Sequence, residues 1–108
     1  KKVDEDGKTV AGAILEIYEA TQNENQEYVP VLDENNNPKI IHRLVTTEEE
    51  VYDIGQYVKG GSSYILHEVE APFGYERMDQ DIVFTATGTK DKYNSFRRLI
   101  VRRRFMYV

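Results

Sequence analysis

Apolar residues in this chain recur with a period of two, in short runs that turn-forming residues part at intervals of roughly ten residues. A pleated strand sends successive side chains to opposite faces, so each run reads as a strand with one face buried. VAGAILEIYEA sets Ala13, Leu15 and Ile17 against Ile14, Glu16 and Tyr18. YILHEVE sets Tyr64, Leu66 and Glu68 against Ile65, His67 and Val69. DIVFTATG sets Ile82 and Phe84 against Val83 and Thr85. FRRLIVRRRFMYV, taken as one final strand, sets Leu99, Val101, Arg103 and Phe105 against Ile100, Arg102, Arg104 and Met106. Gly12 and the Ile and Tyr content of the first run weigh against a helix there, and no long amphipathic helix pattern occurs elsewhere. The pattern predicts an all-β sandwich of the immunoglobulin-like kind.

The connections fit that scheme. Asp4 to Lys8, DEDGK, is a tight polar turn with Gly7 where positive φ is tolerated. TQNENQEYVPVLDENNNP, residues 21–38, is poor in apolar residues apart from Tyr28 to Leu32, which reads as a short strand. Its Asp and Asn residues and Pro38 favour turns over ladder positions. Residues 21–47 are therefore expected to form a long loop or hairpin insertion, after which KIIHRLVTT resumes a strand. Glu48 to Glu50 suit either a short helical turn capped by Thr47 or a solvated acidic loop. Gly60-Gly61 marks a further turn, and 108 residues are read as one domain, 1–108.

Composition excludes several chemistries. The chain has no cysteine, so disulfides, thiolate metal sites and thiol nucleophiles are ruled out. It has no apolar run near the length of about 18 residues that a spanning helix needs, and no membrane insertion is expected. His42 and His67, its two histidines, lack the spacing of a metal pair. No P-loop, dinucleotide fingerprint or nucleophile elbow occurs, and no cofactor is expected. The formal charge of −5 conceals a segregation, because five of the seven arginines lie between Arg97 and Arg104. Without the aromatic and glycine patterns of nucleic-acid binders, that run reads as a charged edge strand that resists pairing rather than as a nucleic-acid site.

One position fits the strand pattern poorly. If Tyr64 and Leu66 face the core, Glu68 faces it with them, and a buried carboxylate costs several kcal/mol unless it is neutral, hydrogen-bonded or paired. A lysine beside it would offset that cost, and Lys2 is placed to share the core if a first strand begins there.

These residues resemble the Cna B-type, SpaA-like domain of Gram-positive surface adhesins and pilins. The first block is carried by Lys2, Asp4, Gly7, Gly12, Ala13, Leu15, Ile17 and Tyr18. The second block, the more specific, is carried by Tyr64, Leu66, Glu68, Ala71, Pro72, Gly74 and Tyr75, and a short strand at DIVFTATG follows. The resemblance implies a prealbumin-like sandwich serving as a non-enzymatic stalk or spacer in a cell-wall-anchored, extracellular protein, with adjacent domains of that protein as its neighbours. The alternative is an adhesin domain that holds a host protein or glycan through the 21–47 loop or the arginine-rich last strand.

The resemblance also implies an intramolecular isopeptide bond. Lys2 would be the nucleophile, made neutral by burial, and Glu68 would polarise the acceptor amide and shuttle protons. The acceptor would be an Asn or Asp of the last strand, where this chain has Arg102 and Arg103; Asn94, in the loop before it, is the late candidate. Without the bond, Glu68 is expected to pair with Lys2 or with a late arginine.

Overall fold

β1 (Ile14–Gln22) is the axis of the larger sheet, holding neighbours on both of its edges. The computed structural model describes residues 11–49, 51–86, 98–101 and 106–107, the last two segments by their backbone. On one edge β1 pairs antiparallel with β2 (Tyr28–Pro30) and β3 (Ile40–Val45), which follow one another along it. Its other edge pairs with β5 (Ser63–Glu70), which in turn pairs with β6 (Ile82–Thr85). A second sheet joins β4 (Val51–Asp53), β7 (Arg98–Val101) and β8 (Met106–Tyr107). All pairings are antiparallel and no helix occurs among the described residues, in keeping with the all-β reading.

The alternation seen in the sequence decides the core. Leu15 lies opposite Leu44 and Glu68, and Ile17 opposite His42 and Leu66, so these side chains share the inward face. Ala13, Leu15, Ile17, Tyr64 and Leu66 are buried there, with Ile54, Val58 and Ala86 completing the cluster and Tyr52 of β4 packed against it. Each of the larger aliphatic side chains contributes about 2 kcal/mol by leaving water. Tyr64 meets Phe84, its partner across the β5–β6 ladder, with ring centroids 5.7 Å apart. Its hydroxyl accepts the Lys59 N–H at 2.7 Å, so the segment after Ile54 is tied to the same core.

Within residues 21–47, β2 and β3 both pair with β1. Pro30 lies opposite Ala20 and Tyr28 opposite Gln22. Between β2 and β3 the chain makes a sideways hairpin in which Leu32 bridges Pro38, and Lys39 N–H donates to Val31 C=O at 2.8 Å. The loops 23–27 and 33–37 have the same construction. Asn23 Oδ1 accepts the N–H groups of Asn25 and Glu27, as Asp33 Oδ1 accepts those of Asn35 and Asn37. Each loop then places one residue, Gln26 or Asn36, at φ 64°.

One alternative is settled and one expectation changes. Residues 46–49 form a loop with Glu48 and Glu49 exposed, not a helical turn; Thr47 Oγ1 accepts the Glu49 N–H at 3.1 Å in a local turn, and Tyr52 Oη donates to Glu49 C=O at 2.7 Å. The arginine-rich C-terminal run is not one strand either. β7 and β8 pair with each other, Ile100 opposite Tyr107 and Val101 opposite Met106. Three consecutive arginines, Arg102 to Arg104, break the period of two in the sequence.

Candidate functional site

Glu68 occupies the inward face of β5 with no exposed surface. Leu15 lies directly opposite it on β1. The register slips immediately afterwards: Ile14 faces Glu70 while Leu15 faces Glu68, leaving Val69 as an extra residue. Such a bulge bends the strand end and re-aims its side chains, and it lies where β5 hands over to the Ala71–Tyr75 turn.

That turn is built to bring the chain back over Glu68. Tyr75 N–H donates to Pro72 C=O at 3.0 Å, and Gly74 sits at φ +87°, a conformation that disfavours any side chain. Pro72 is buried, and a Cβ on Gly12 would lie 3.9 Å from it, so the base of the turn rests on the start of the first strand. Phe73, at the tip, is 103% exposed. Beyond the turn, Arg77 Nη1 donates to the carbonyls of Glu68 at 3.1 Å and Met78 at 3.3 Å, clasping the returning chain to β5. Met78 N–H then donates to Glu68 Oε1 at 2.6 Å.

The carboxyl group is thus held on a buried sheet face by a main-chain donor. With one oxygen oriented by a peptide N–H, such a group can pass a proton to or from a neighbour without bulk water. Lys2 and Asn94, and Arg102 and Arg103 with them, lie outside the described residues. Arg77 and Met78 carry no signal in the sequence reading: Met78 acts through its backbone, and Arg77 follows the recognisable motif by two positions.

A second polar cluster lies on the outward face of the same sheet. Arg43 of β3, Glu16 of β1 and His67 of β5 are cross-strand neighbours. Arg43 Nη1 is 3.7 Å from Glu16 Oε2, and His67 Nδ1 is 2.7 Å from Asp81 Oδ1. Tyr18 stacks on His67 with centroids 5.6 Å apart and donates its hydroxyl to Glu16 Oε1 at 3.0 Å. Burial, then the hydrogen bond and charge of Glu16, push the Tyr18 phenol well above its ordinary range. His42 stacks on Tyr57 at 3.7 Å on the inner side of β3, and burial lowers its pKa. No group of three metal-ligating side chains occurs among the described residues.

A family model described as SpaA, prealbumin-like fold domain, matches residues 1–97 of the chain. No curated protein and no solved structure matches it.

Proposed function

We propose, since this chain belongs to the SpaA family of prealbumin-like fold domains, that it is a stalk or spacer module of a cell-wall-anchored Gram-positive surface protein. The observation that carries this reading is the family match across residues 1–97, which takes in the all-β core together with the Glu68 site. A module of this kind acts by holding its shape between adjacent domains and needs no turnover. The sheet is organised accordingly: β1 is paired along both edges, and its inward face is filled from the second half of the chain.

Within the module, Glu68 has one of two roles. In the first, Lys2 Nζ attacks Cγ of Asn94, the amide nitrogen leaves as ammonia, and Glu68 carries the proton from the amine to the leaving group. In the second, Glu68 forms a non-covalent pair with Lys2 or a late arginine. Intact mass separates the roles, since the bond removes one ammonia, about 17 Da. A mass equal to that of the sequence eliminates the bond and leaves the spacer reading standing.

The spacer reading has its own test. The chain is screened against a panel of extracellular-matrix proteins and glycans, beside a variant in which residues 21–47 are replaced by a short turn. A spacer binds nothing on the panel in either form. Saturable binding lost with residues 21–47 would overturn it in favour of an adhesin domain.

A further inference from the structure

The larger sheet ends in two strands whose outer edges pair with no other strand among the described residues: β3 beyond β1, and β6 beyond β5. Ladder parity tells which main-chain groups each edge presents. Thr46 N–H donates to Ala13 C=O at 2.8 Å, so Thr46, Leu44 and His42 turn their main-chain groups toward β1, and Val45 and Arg43 turn theirs away. Ala86 N–H donates to Ser62 C=O at 2.9 Å, so Ala86, Phe84 and Ile82 turn toward β5, and Val83 and Thr85 present N–H and C=O groups outward. Such a row is a template for a further strand, and sheets ordinarily guard it with lysine, proline or another charge. Ile82–Thr85, IVFT, has none of these, and Ile40–Val45 has Arg43 alone.

The two edges match one another. The order β3-β1-β5-β6 is antiparallel at every step, so β6 runs opposite to β3. A second copy displaced sideways therefore lays its β6 antiparallel along the β3 of the first. The side chains agree with this. Val45 and Arg43 are exposed on the outward face while Leu44 is half-buried inward, and Val83 and Thr85 are exposed on the outward face while Phe84 is half-buried inward; Leu44 and Phe84 both pack against the core. Setting Val45 opposite Val83 and Arg43 opposite Thr85 puts Leu44 opposite Phe84 at the rim of the core. It also covers two valines that are 58% and 46% exposed in the single chain.

We propose that the β3 edge of one copy takes the β6 edge of a second copy as its neighbouring strand, Val45 opposite Val83, so that the larger sheets of successive copies continue as one antiparallel sheet. The contact joins unlike edges, so it is head-to-tail and leaves a β3 and a β6 at the two ends for further copies. Main-chain hydrogen bonds carry the affinity, and side-chain alternation sets the register. One strand on one strand is a small contact, so a dissociation constant of about 0.1–1 mM is expected.

Because the chain has no cysteine, cross-linking reads the register directly. Opposed Cα atoms in such a pair lie about 5.5 Å apart, within disulfide reach, whereas β3 and β6 of one chain are three strand spacings, about 14 Å, apart. In the full 108-residue chain, Val45→Cys mixed with Val83→Cys is expected to give about tenfold more disulfide dimer under mild oxidation than Val45→Cys mixed with Thr21→Cys, Thr21 being exposed on β1 away from both edges. A chain carrying both Val45→Cys and Val83→Cys should give a ladder of trimers and longer species. Sedimentation velocity up to about 1 mM should show dimers and larger species of the wild type. Val83→Pro removes an outward N–H and none from the β5 ladder, and Thr85→Lys guards the same edge; both should stay monomeric with the wild-type circular dichroism. Cross-linking no greater than with Thr21→Cys, a wild type that stays monomeric throughout, or edge variants that associate like the wild type would each overturn the proposal. Preferential cross-linking of Val45→Cys to itself would overturn it in favour of a two-fold β3–β3 pairing.

Discussion

Met78 closes the Glu68 site through its backbone: its N–H lies 2.6 Å from Glu68 Oε1, ten residues along the chain and on the far side of the Pro72–Tyr75 turn. The turn therefore does more than redirect the strand, because it delivers the donor that satisfies a buried carboxyl group.

Removing the acceptor should cost more than replacing the carboxyl group with an amide. Glu68→Ala leaves the Met78 N–H without this acceptor and opens a void beside Leu15, for a loss of about 3 kcal/mol. Glu68→Gln keeps an oxygen at nearly the same place and should lose about 1 kcal/mol. Urea unfolding of both variants checks the order, and an Ala variant as stable as the Gln variant would remove the hydrogen bond from the account.

Gly74 should resist substitution for conformational reasons alone. A Cβ there meets nothing within 4 Å, so crowding is not the obstacle, yet φ is +87°. Gly74→Ala is therefore expected to cost about 1 kcal/mol, and Gly74→Asn, which tolerates left-handed backbone better, should cost less. Thermal unfolding of the pair measures the difference; equal losses would point to sterics instead of backbone strain.

Stability should fall on mild acidification through His42. Its pKa is lowered from an ordinary value of 6.5 because burial disfavours the imidazolium. The unfolded chain then binds the proton more readily than the folded one, so stability rises with pH across this window. The contribution is intact above pH 6.5 and is lost as pH falls through the lowered folded-state value. His42→Phe preserves a ring to stack on Tyr57 and removes the titration. Denaturant midpoints at pH 8 and pH 5 should show the wild type losing more than the variant, and parallel losses would exonerate His42.

The inward set of β1 and β5, Glu68 included, was legible because strand alternation is local and needs only the neighbouring residues. The turn at Pro72–Tyr75 was legible for the same reason, since Pro and Gly punctuate it at consecutive positions. The Met78 donor was not, because a backbone N–H looks alike in every sequence. Nor was the shared construction of loops 23–27 and 33–37: NENQE and DENNN agree by letter only in Glu and Asn at their second and third positions, and the likeness lies in what Asn23 and Asp33 accept. The reversal between β7 and β8 was read as one strand because apolar residues resume after Arg104, and periodicity alone does not tell a continued strand from a returning one. Lys2 and Asn94 lie outside the described residues.

Tyr18 should ionise well above the ordinary range of a phenol. Its hydroxyl donates to Glu16 at 3.0 Å, and ionisation would both desolvate a phenolate and set it against the Glu16 and Asp81 carboxylates. A phenol whose pKa is raised on folding stabilises the fold fully below its unfolded value, about 10, and that contribution is lost as pH rises toward the folded one. Ultraviolet difference titration should show one late phenolate step, absent from Tyr18→Phe. The same substitution removes a buried donor from Glu16, whose other oxygen faces Arg43 at 3.7 Å, and should cost about 1 kcal/mol at neutral pH. A variant that keeps the late step would assign it to another tyrosine and detach Tyr18 from the Glu16–His67 cluster.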